Sequence, residues 1–322
     1  MSLTKKILTT GLLVGGTLGA MAIYNKATCA MVGELDTVLT GEERRYPWKY
    51  GDMFYEVKGE HEARPLVLIH GFSPGASSYE WRKNIEALSA NFRVYALDLL
   101  GFGLSDRPEL YYTPEMMVDL LHDFLSEVVA QPALVVAHDQ SCAYAIAVAA
   151  RNPQLFERLI LLSPSPSLVQ KPDTGPLQRI WKAILSTPIV GEFIYNLFTS
   201  RPAIRAYYDR FGYQNPGLIS DDFIEYLYTS AHQPQSFQAA NAVLSGSLAL
   251  DVHEPLSRLQ VPTNAIWGRE GELSPAEASA ALKRFNAKID IHVIDKSRMH
   301  LQEEQASHLN QLLGTFAHAS VN

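Results

Sequence analysis

The stretch Ala133-Leu-Val-Val-Ala-His138-Asp139-Gln140-Ser141-Cys142-Ala143 is an apolar run that stops abruptly at a carboxylate and resumes with small residues. An uninterrupted apolar run of this length suits a strand covered on both faces, as in a parallel sheet. The residues after Asp139, over 142–151, read as a helix. Strand, tight turn and helix in that order form one βα unit. Working outward, similar runs recur: Pro65-Leu-Val-Leu-Ile-His70, Arg93-Val-Tyr-Ala-Leu-Asp98 and Arg158-Leu-Ile-Leu-Leu162. Helix-like stretches lie between them at 78–90 and 113–129. Residues 263–267 and 289–294 extend the pattern, and a last helix is expected over 305–316. Apolar strands alternating with helices predict an α/β fold with a mostly parallel sheet. Upstream, Gly51-Asp52 separates two short strands near 48–50 and 53–57, a hairpin signal.

The alternation breaks between Ser163 and Pro262. That interval reads as helices throughout, near 176–185, 190–197, 203–210, 221–231 and 235–244. A helical insertion between two sheet strands is naturally a cap over the sheet's C-terminal edge, where open α/β sheets bind ligands. The expected organisation is an N-terminal segment at 1–30, a polar linker at 31–47, a core at 48–162, the cap at 163–260 and the rest of the core at 261–318.

Composition narrows the class. The chain has 322 residues, 47% apolar and 19% charged, and a formal net charge of −7. It is large enough for one domain with an insertion. No Lys/Arg stripe suggests nucleic-acid binding. Cys29 and Cys142 make neither a disulfide framework nor a zinc set, so no metal and no cofactor is expected. Cys142 reads as a small buried apolar residue.

The N-terminus differs from the rest. Lys5 and Lys6 precede an uncharged apolar run over 7–23, which reads as a membrane anchor with the lysines on the cytoplasmic side. A signal segment, cleaved near Ala20–Ala22 or 27–30 and leaving an exported protein, is the alternative. Gly11, Gly15 and Gly19 recur every four residues, a spacing that allows close packing on a partner helix.

Three segments carry a family resemblance: Leu68-Ile-His-Gly-Phe72, Leu97-Asp-Leu-Leu-Gly-Phe-Gly-Leu-Ser-Asp106 and Val136-Ala-His-Asp-Gln140. They resemble, in order and at strand ends, the landmarks of the α/β-hydrolase fold family over about residues 48–318. The third landmark is usually Gly-x-Ser-x-Gly, the nucleophile elbow. Here Asp139 and Ser141 compete for the nucleophile position. The apolar run is used up by His138, which leaves Asp139 at the turn. The family's His-Pro or Asn-Pro step after the elbow helix is matched by Asn152-Pro153 with Asp139 as origin and falls two residues short for Ser141. Ala137, Ser141 and Cys142 supply the small residues that the elbow needs.

An Asp here resembles the epoxide hydrolase and haloalkane dehalogenase branch. That resemblance implies an alkyl-enzyme ester on Asp139, hydrolysed by water that a histidine activates. It also implies an oxyanion hole from the N–H groups of Phe72 and Gln140, with His300 as the base. His70 and His138 read as structural members of the turns, and His122 and His232 have no motif support. The orienting acid is the open position. In Trp267-Gly-Arg-Glu-Gly-Glu-Leu-Ser-Pro275 the family's acid falls on Gly271, between Glu270 and Glu272, so one of these serves or none does. The alternative acid site after residues 158–162 reads Ser163-Pro-Ser-Pro-Ser167, without a carboxylate. Dehalogenases place a Trp after the nucleophile, and this chain has Gln140 there, although Trp181 in the cap could add an indole N–H. Epoxide hydrolases use cap tyrosines as acids, and Tyr195, Tyr207, Tyr208, Tyr213, Tyr226 and Tyr228 are available. The expected substrate is small and hydrophobic. A non-catalytic, membrane-anchored scaffold and an esterase using Ser141 stay open beside this reading.

Overall fold

The computed structural model describes residues 3–169 and 175–318, without the side chains of 3–14 and 318. An eight-stranded sheet runs in the order β1-β2-β4-β3-β5-β6-β7-β8. Its strands are β1 (Glu42–Trp48), β2 (Gly51–Lys58), β3 (Arg64–Ile69), β4 (Phe92–Leu97), β5 (Ala133–His138), β6 (Phe156–Leu162), β7 (Thr263–Gly268) and β8 (Asp290–Ile294). β2 pairs antiparallel with β1 and β4; all other pairs are parallel. The expected α/β class is the one observed.

The sheet separates two apolar layers. Val135 and Ala137 of β5 face one layer, which holds α3 (Pro114–Asp123) and α4 (Ser141–Arg151). Leu134 and Val136 face the other, which holds α2 (Ile85–Leu88) and α13 (Ala306–His318). Alternation along a strand buried on both sides explains why its sequence is apolar at every position. β1 is the exception, because it begins inside the stretch read as a linker. Its Glu42-Glu-Arg-Arg45 start is exposed, as suits an edge strand whose charges discourage further pairing.

α11 (Ala278–Phe285) joins β7 to β8, and among the described residues six α-helices lie between β6 and β7: α5 (Pro176–Leu185), α6 (Pro188–Phe198), α7 (Arg201–Tyr207), α8 (Asp221–Ala231), α9 (Ser236–Leu244) and α10 (His253–Arg258). They form the helical insertion, with its own cluster around Tyr208, Tyr213, Phe223 and Leu227. At the N-terminus, α1 (Leu3–Ala30) packs on α6 through Tyr24 against Phe193, with ring centroids 5.4 Å apart. The Asn25 amide donates to Ile189 O (3.0 Å), and Asn196 donates back to Asn25 Oδ1 (3.0 Å). Among the described residues no helix is long and apolar enough to cross a membrane. The side chains of Lys5, Lys6 and the first part of the 7–23 run, and the surroundings of Gly11, lie outside the described residues. A Cβ at Gly15 or Gly19 would meet nothing within 4 Å, so neither packs against another part of the described chain.

The strand order places the site. β3 leads to β4 on one side, while β5 lies on its other side, so the loops after β3 and β5 part at the sheet's C-terminal edge. Such a switch point is where an open α/β sheet leaves a crevice. Here it holds Gly71-Phe72 on one lip and Asp139 on the other.

Candidate active site

Asp139 and Gln140 form the two-residue turn between β5 and α4, and Asp139 has φ at 52°. That left-handed conformation is costly for most side chains, and a short polar one tolerates it best. The sharp turn lifts the carboxylate off the strand end, and Asp139 N–H is anchored to Leu162 O at 3.0 Å. The opposite lip comes close because residue 71 is glycine: a Cβ there would lie 2.7 Å from His138 Nδ1 and 3.0 Å from Asp139 Cβ. With that space free, Phe72 N–H donates to Asp139 Oδ2 at 3.3 Å. Burial pushes the Asp139 carboxyl up from its ordinary range, opposed by the His138 charge and the Phe72 and Gln140 N–H groups. The two backbone donors read from sequence as an oxyanion hole thus address the carboxylate itself.

Ser141 is turned away. Its fully buried hydroxyl donates to His70 O at 2.6 Å. His70 is itself a turn brace, receiving Leu99 N–H at Nε2 (3.0 Å) and donating from Nδ1 to Gly71 O (2.7 Å). Ser141→Ala is therefore expected to cost about 1 kcal/mol of stability and to leave turnover within about twofold. Thermal melting and activity measured side by side check this; a collapse of turnover in a folded variant would make the hydroxyl the nucleophile.

His138 has a partner that the sequence did not announce. Glu80, on a 3₁₀ turn at Ser78–Trp81, meets its Nδ1 at 3.0 and 3.2 Å. His138 Nε2 faces Met299 O at 3.2 Å. With an acceptor at each nitrogen the ring is suited to be a cation, and although burial works against the charge, Glu80 outweighs it and holds the pKa above the ordinary value. Glu80 also accepts Gly71 N–H at 3.2 Å, which ties this ion pair to the lip beside Asp139. Nothing periodic marks Glu80; the signal was a carboxylate inside the Ser77-Ser-Tyr-Glu-Trp81 turn.

His300 follows β8 and is fully buried, with its ring centroid 5.2 Å from that of His138 and 4.9 Å from that of Tyr208. Burial first, then the His138 charge and Arg82, push its pKa well below the ordinary histidine value. It is thus a neutral imidazole at neutral pH. Nδ1 lies 3.4 Å from Gln302 Nε2, and Nε2 has no partner. Among the described residues no carboxylate is bonded to His300.

The two candidates for the orienting acid are corrected accordingly. Glu272 pairs at the surface with Arg210 (2.6 Å). Glu270 accepts Ser297 N–H (3.0 Å) and so braces the loop after β8. At position 271 a Cβ would fall 2.8 Å from Ser274 O, so this tight turn has no room for the family's aspartate.

Gln140 directs its side chain to the insertion's base, accepting from Ser167 Oγ (2.7 Å) and donating to Leu248 O (3.4 Å). Above the elbow lies an apolar cavity of about 360 Å³ whose walls include Phe72, Phe102, Trp181, Tyr195, Phe198 and Tyr207. Phe72 both lines the cavity and gives its N–H to Asp139, so one residue links the carboxylate to the cavity. Of the cap tyrosines, Tyr195 and Tyr207 reach the cavity. Tyr195 donates to Ala231 O (2.5 Å), while the Tyr207 hydroxyl has only Met299 Sδ at 3.7 Å. Tyr208 bonds Ser73 (3.0 Å); Tyr213 packs on His300 at 5.7 Å and Tyr226 on Tyr79 at 3.8 Å. Tyr228 lies under Arg201.

Donor atoms of Glu80, His138 and His300 lie within 4.8 Å of one another. A metal would need a lone pair from His138, whose nitrogens both face acceptors. The group fits an ion pair better than a cation site.

A model of the alpha/beta hydrolase family matches residues 66–312. The 2-hydroxymuconate semialdehyde hydrolase of Pseudomonas sp. (strain CF600) is 28% identical over 261 residues, 78% of this chain and 86% of that protein. The soluble epoxide hydrolase of Corynebacterium sp. (strain C12) is 35% identical over 113 residues, 35% of this chain and 39% of that protein. Among solved structures, the meta-cleavage product hydrolase of Pseudomonas fluorescens IP01 is similar with a TM-score of 0.69 and 26% identity, covering 85% of this chain and 96% of that one. Fold, elbow and relatives agree: the chain belongs to the alpha/beta hydrolase family and is a hydrolase.

Proposed function

We propose that the enzyme hydrolyses a small hydrophobic epoxide or alkyl halide through an ester on Asp139. The observation that carries this is a carboxylate at the elbow, with one oxygen on the Phe72 N–H and an apolar cavity beside it. A carboxylate oxygen attacks saturated carbon; the new C–O bond forms as the leaving group departs with its electron pair. Tyr207, on the cavity wall, is placed to give an epoxide oxygen its proton, which favours the epoxide over the halide. His300 then takes a proton from water, and the hydroxide attacks Asp139 Cγ. The Phe72 and Gln140 N–H groups stabilise the oxyanion; its collapse breaks the ester C–O bond, the departing alkoxide takes the proton from His300 and leaves as the alcohol, and the Asp139 carboxyl returns its own proton to Tyr207, or to solvent when the leaving group was a halide.

The test uses His300→Gln protein and a panel of small epoxides and alkyl bromides. The expected result is one equivalent of added mass on the peptide carrying Asp139. An adduct elsewhere, or none with any member, contradicts the proposal.

We propose that residues 7–23 attach the chain to a membrane, a reading that rests on the uncharged apolar run after Lys5 and Lys6; the Asn25 contacts hold the C-terminal end of the helix to the cap. The open faces of Gly15 and Gly19 are left for a partner helix. Co-sedimentation of the full chain with lipid vesicles is the expected behaviour; a protein that stays in the supernatant contradicts it.

A further inference from the structure

Among the described residues, the polar neighbour of His300 Nδ1 is the Gln302 side chain. Both are completely buried. The Gln302 amide nitrogen lies 3.4 Å from His300 Nδ1 and also 3.4 Å from His138 Nδ1, while its oxygen has no partner. This orientation is chemically poor. His138 carries a proton on Nδ1, directed at Glu80, so an N–H donor faces an N–H donor. It also forces His300 to accept at Nδ1 and carry its proton on Nε2, a buried donor with nothing to receive it. Buried orphan N–H groups are rare. The O and N of an amide are nearly indistinguishable by shape, and the hydrogen-bond network decides between them.

Rotating the amide by half a turn removes both conflicts at the two histidines, and moves the unpartnered donor from the His300 ring to the Gln302 amide. Gln302 Oε1 then faces both Nδ1–H groups, and the His300 Nε2 lone pair is left free. The amide nitrogen takes the place of the unpartnered oxygen. We propose that Gln302 is the positioning residue of His300: its carbonyl fixes the neutral Nδ1–H tautomer, so that Nε2 is the base. An amide carbonyl orients the ring as a carboxylate would, without adding a negative charge to a pocket that already holds Glu80 and Asp139. The cationic His138 on the other side keeps His300 unprotonated between turnovers. The remaining charged groups around the ring are Arg82 and Glu303, which form a buried ion pair of their own. This inference rests on the reading of Asp139 and His300 given above.

The test compares the full-length wild type with Gln302→Leu and Gln302→Glu by two independent readouts. Nitrogen-15 NMR of the histidine rings reports the tautomer without any substrate. The wild type is expected to show the Nδ1–H form for His300, and Gln302→Leu a mixture. Quenched-flow mass spectrometry with 1-bromobutane and with styrene oxide reports formation and decay of the Asp139 adduct. In Gln302→Leu, decay is expected to slow about 100-fold with formation unchanged, the signature of a misoriented base. Gln302→Glu is expected to restore decay to within about tenfold, and its charge moves the acid limb of the decay profile to higher pH. A merely structural role would change neither tautomer nor acid limb. An Nε2–H form in the wild type, or unchanged decay in Gln302→Leu, overturns the proposal. If no protein forms an adduct, the Asp139 reading fails on its own, and the tautomer measurement alone decides for or against Gln302.

Discussion

Asp139→Asn is expected to lower turnover by at least about 10⁴-fold and to make the protein more stable. The loss follows from the chemistry, because an amide oxygen is a far weaker nucleophile toward saturated carbon and cannot complete the ester cycle. The gain follows from the site's cost. Burial raises the folded-state pKa of this carboxyl above its unfolded value. The folded state therefore binds the proton more tightly, so this group's contribution is complete below the unfolded carboxylate range and is lost as pH rises through the folded pKa. At neutral pH the raised pKa makes the Asp139 carboxyl a net burden on the fold. Asparagine removes the charge, tolerates the left-handed φ of 52° and keeps an oxygen for Phe72 N–H. A rise in Tm of about 1–2 °C is expected, which about 1 kcal/mol gives in a protein of 322 residues. A lower Tm together with lost activity would mean that the carboxylate supports the fold.

His300→Gln carries the second large effect, and it falls on one half of the reaction. Attack on the substrate needs no base, so ester formation is expected to keep its rate. Hydrolysis needs one, and the decay of the ester is expected to slow by about 10⁴-fold. Pre-steady-state mass measurements separate the two; equal slowing of both halves contradicts the assignment. The wild-type pH profile supplies a companion sign. His300 is active when neutral, and burial, His138 and Arg82 lower its pKa well below the ordinary 6.5. Turnover should therefore stay level as pH falls through 6.5 and decline only at lower pH. The same depression means that the unfolded chain takes up the proton first, so His300's share of stability is lost as pH falls below the unfolded value. His138, whose folded pKa is raised, has the opposite sign and loses its share as pH rises.

The fold was legible because its strands are buried on both faces and so are apolar without interruption. β5 ends where the sequence turns from His138 to Asp139, and the observed φ reversal falls on that residue. The place of Asp139, rather than Ser141, at the turn was legible for the same reason: a one-residue strand end decides which side chain is lifted. The hairpin was read, but the start of β1 was taken for linker because an edge strand may be as charged as one, and the turn falls at Lys49-Tyr50 instead of Gly51-Asp52. The orienting group of His300 was the least legible part. The sequence pointed to Glu270 and Glu272 because they flank the family position. A tight turn at Gly271 leaves no room for a side chain there, and those glutamates are taken by Ser297 N–H and Arg210. Glu80 and Gln302 come from a short turn and from the first turn of α12 (Leu301–Glu304), where no period marks an inward position. Only the folded chain brings them together around His138 and His300.

The central claim is that the oxygen delivered to the product comes from Asp139. A single turnover in ¹⁸O-enriched water, with enzyme in excess over a panel substrate that the wild type consumes, tests it directly. The account predicts unlabelled product and one ¹⁸O retained on the peptide carrying Asp139, because water attacks the ester carbonyl. Product labelled in the first turnover, with an unlabelled Asp139 peptide, would contradict it.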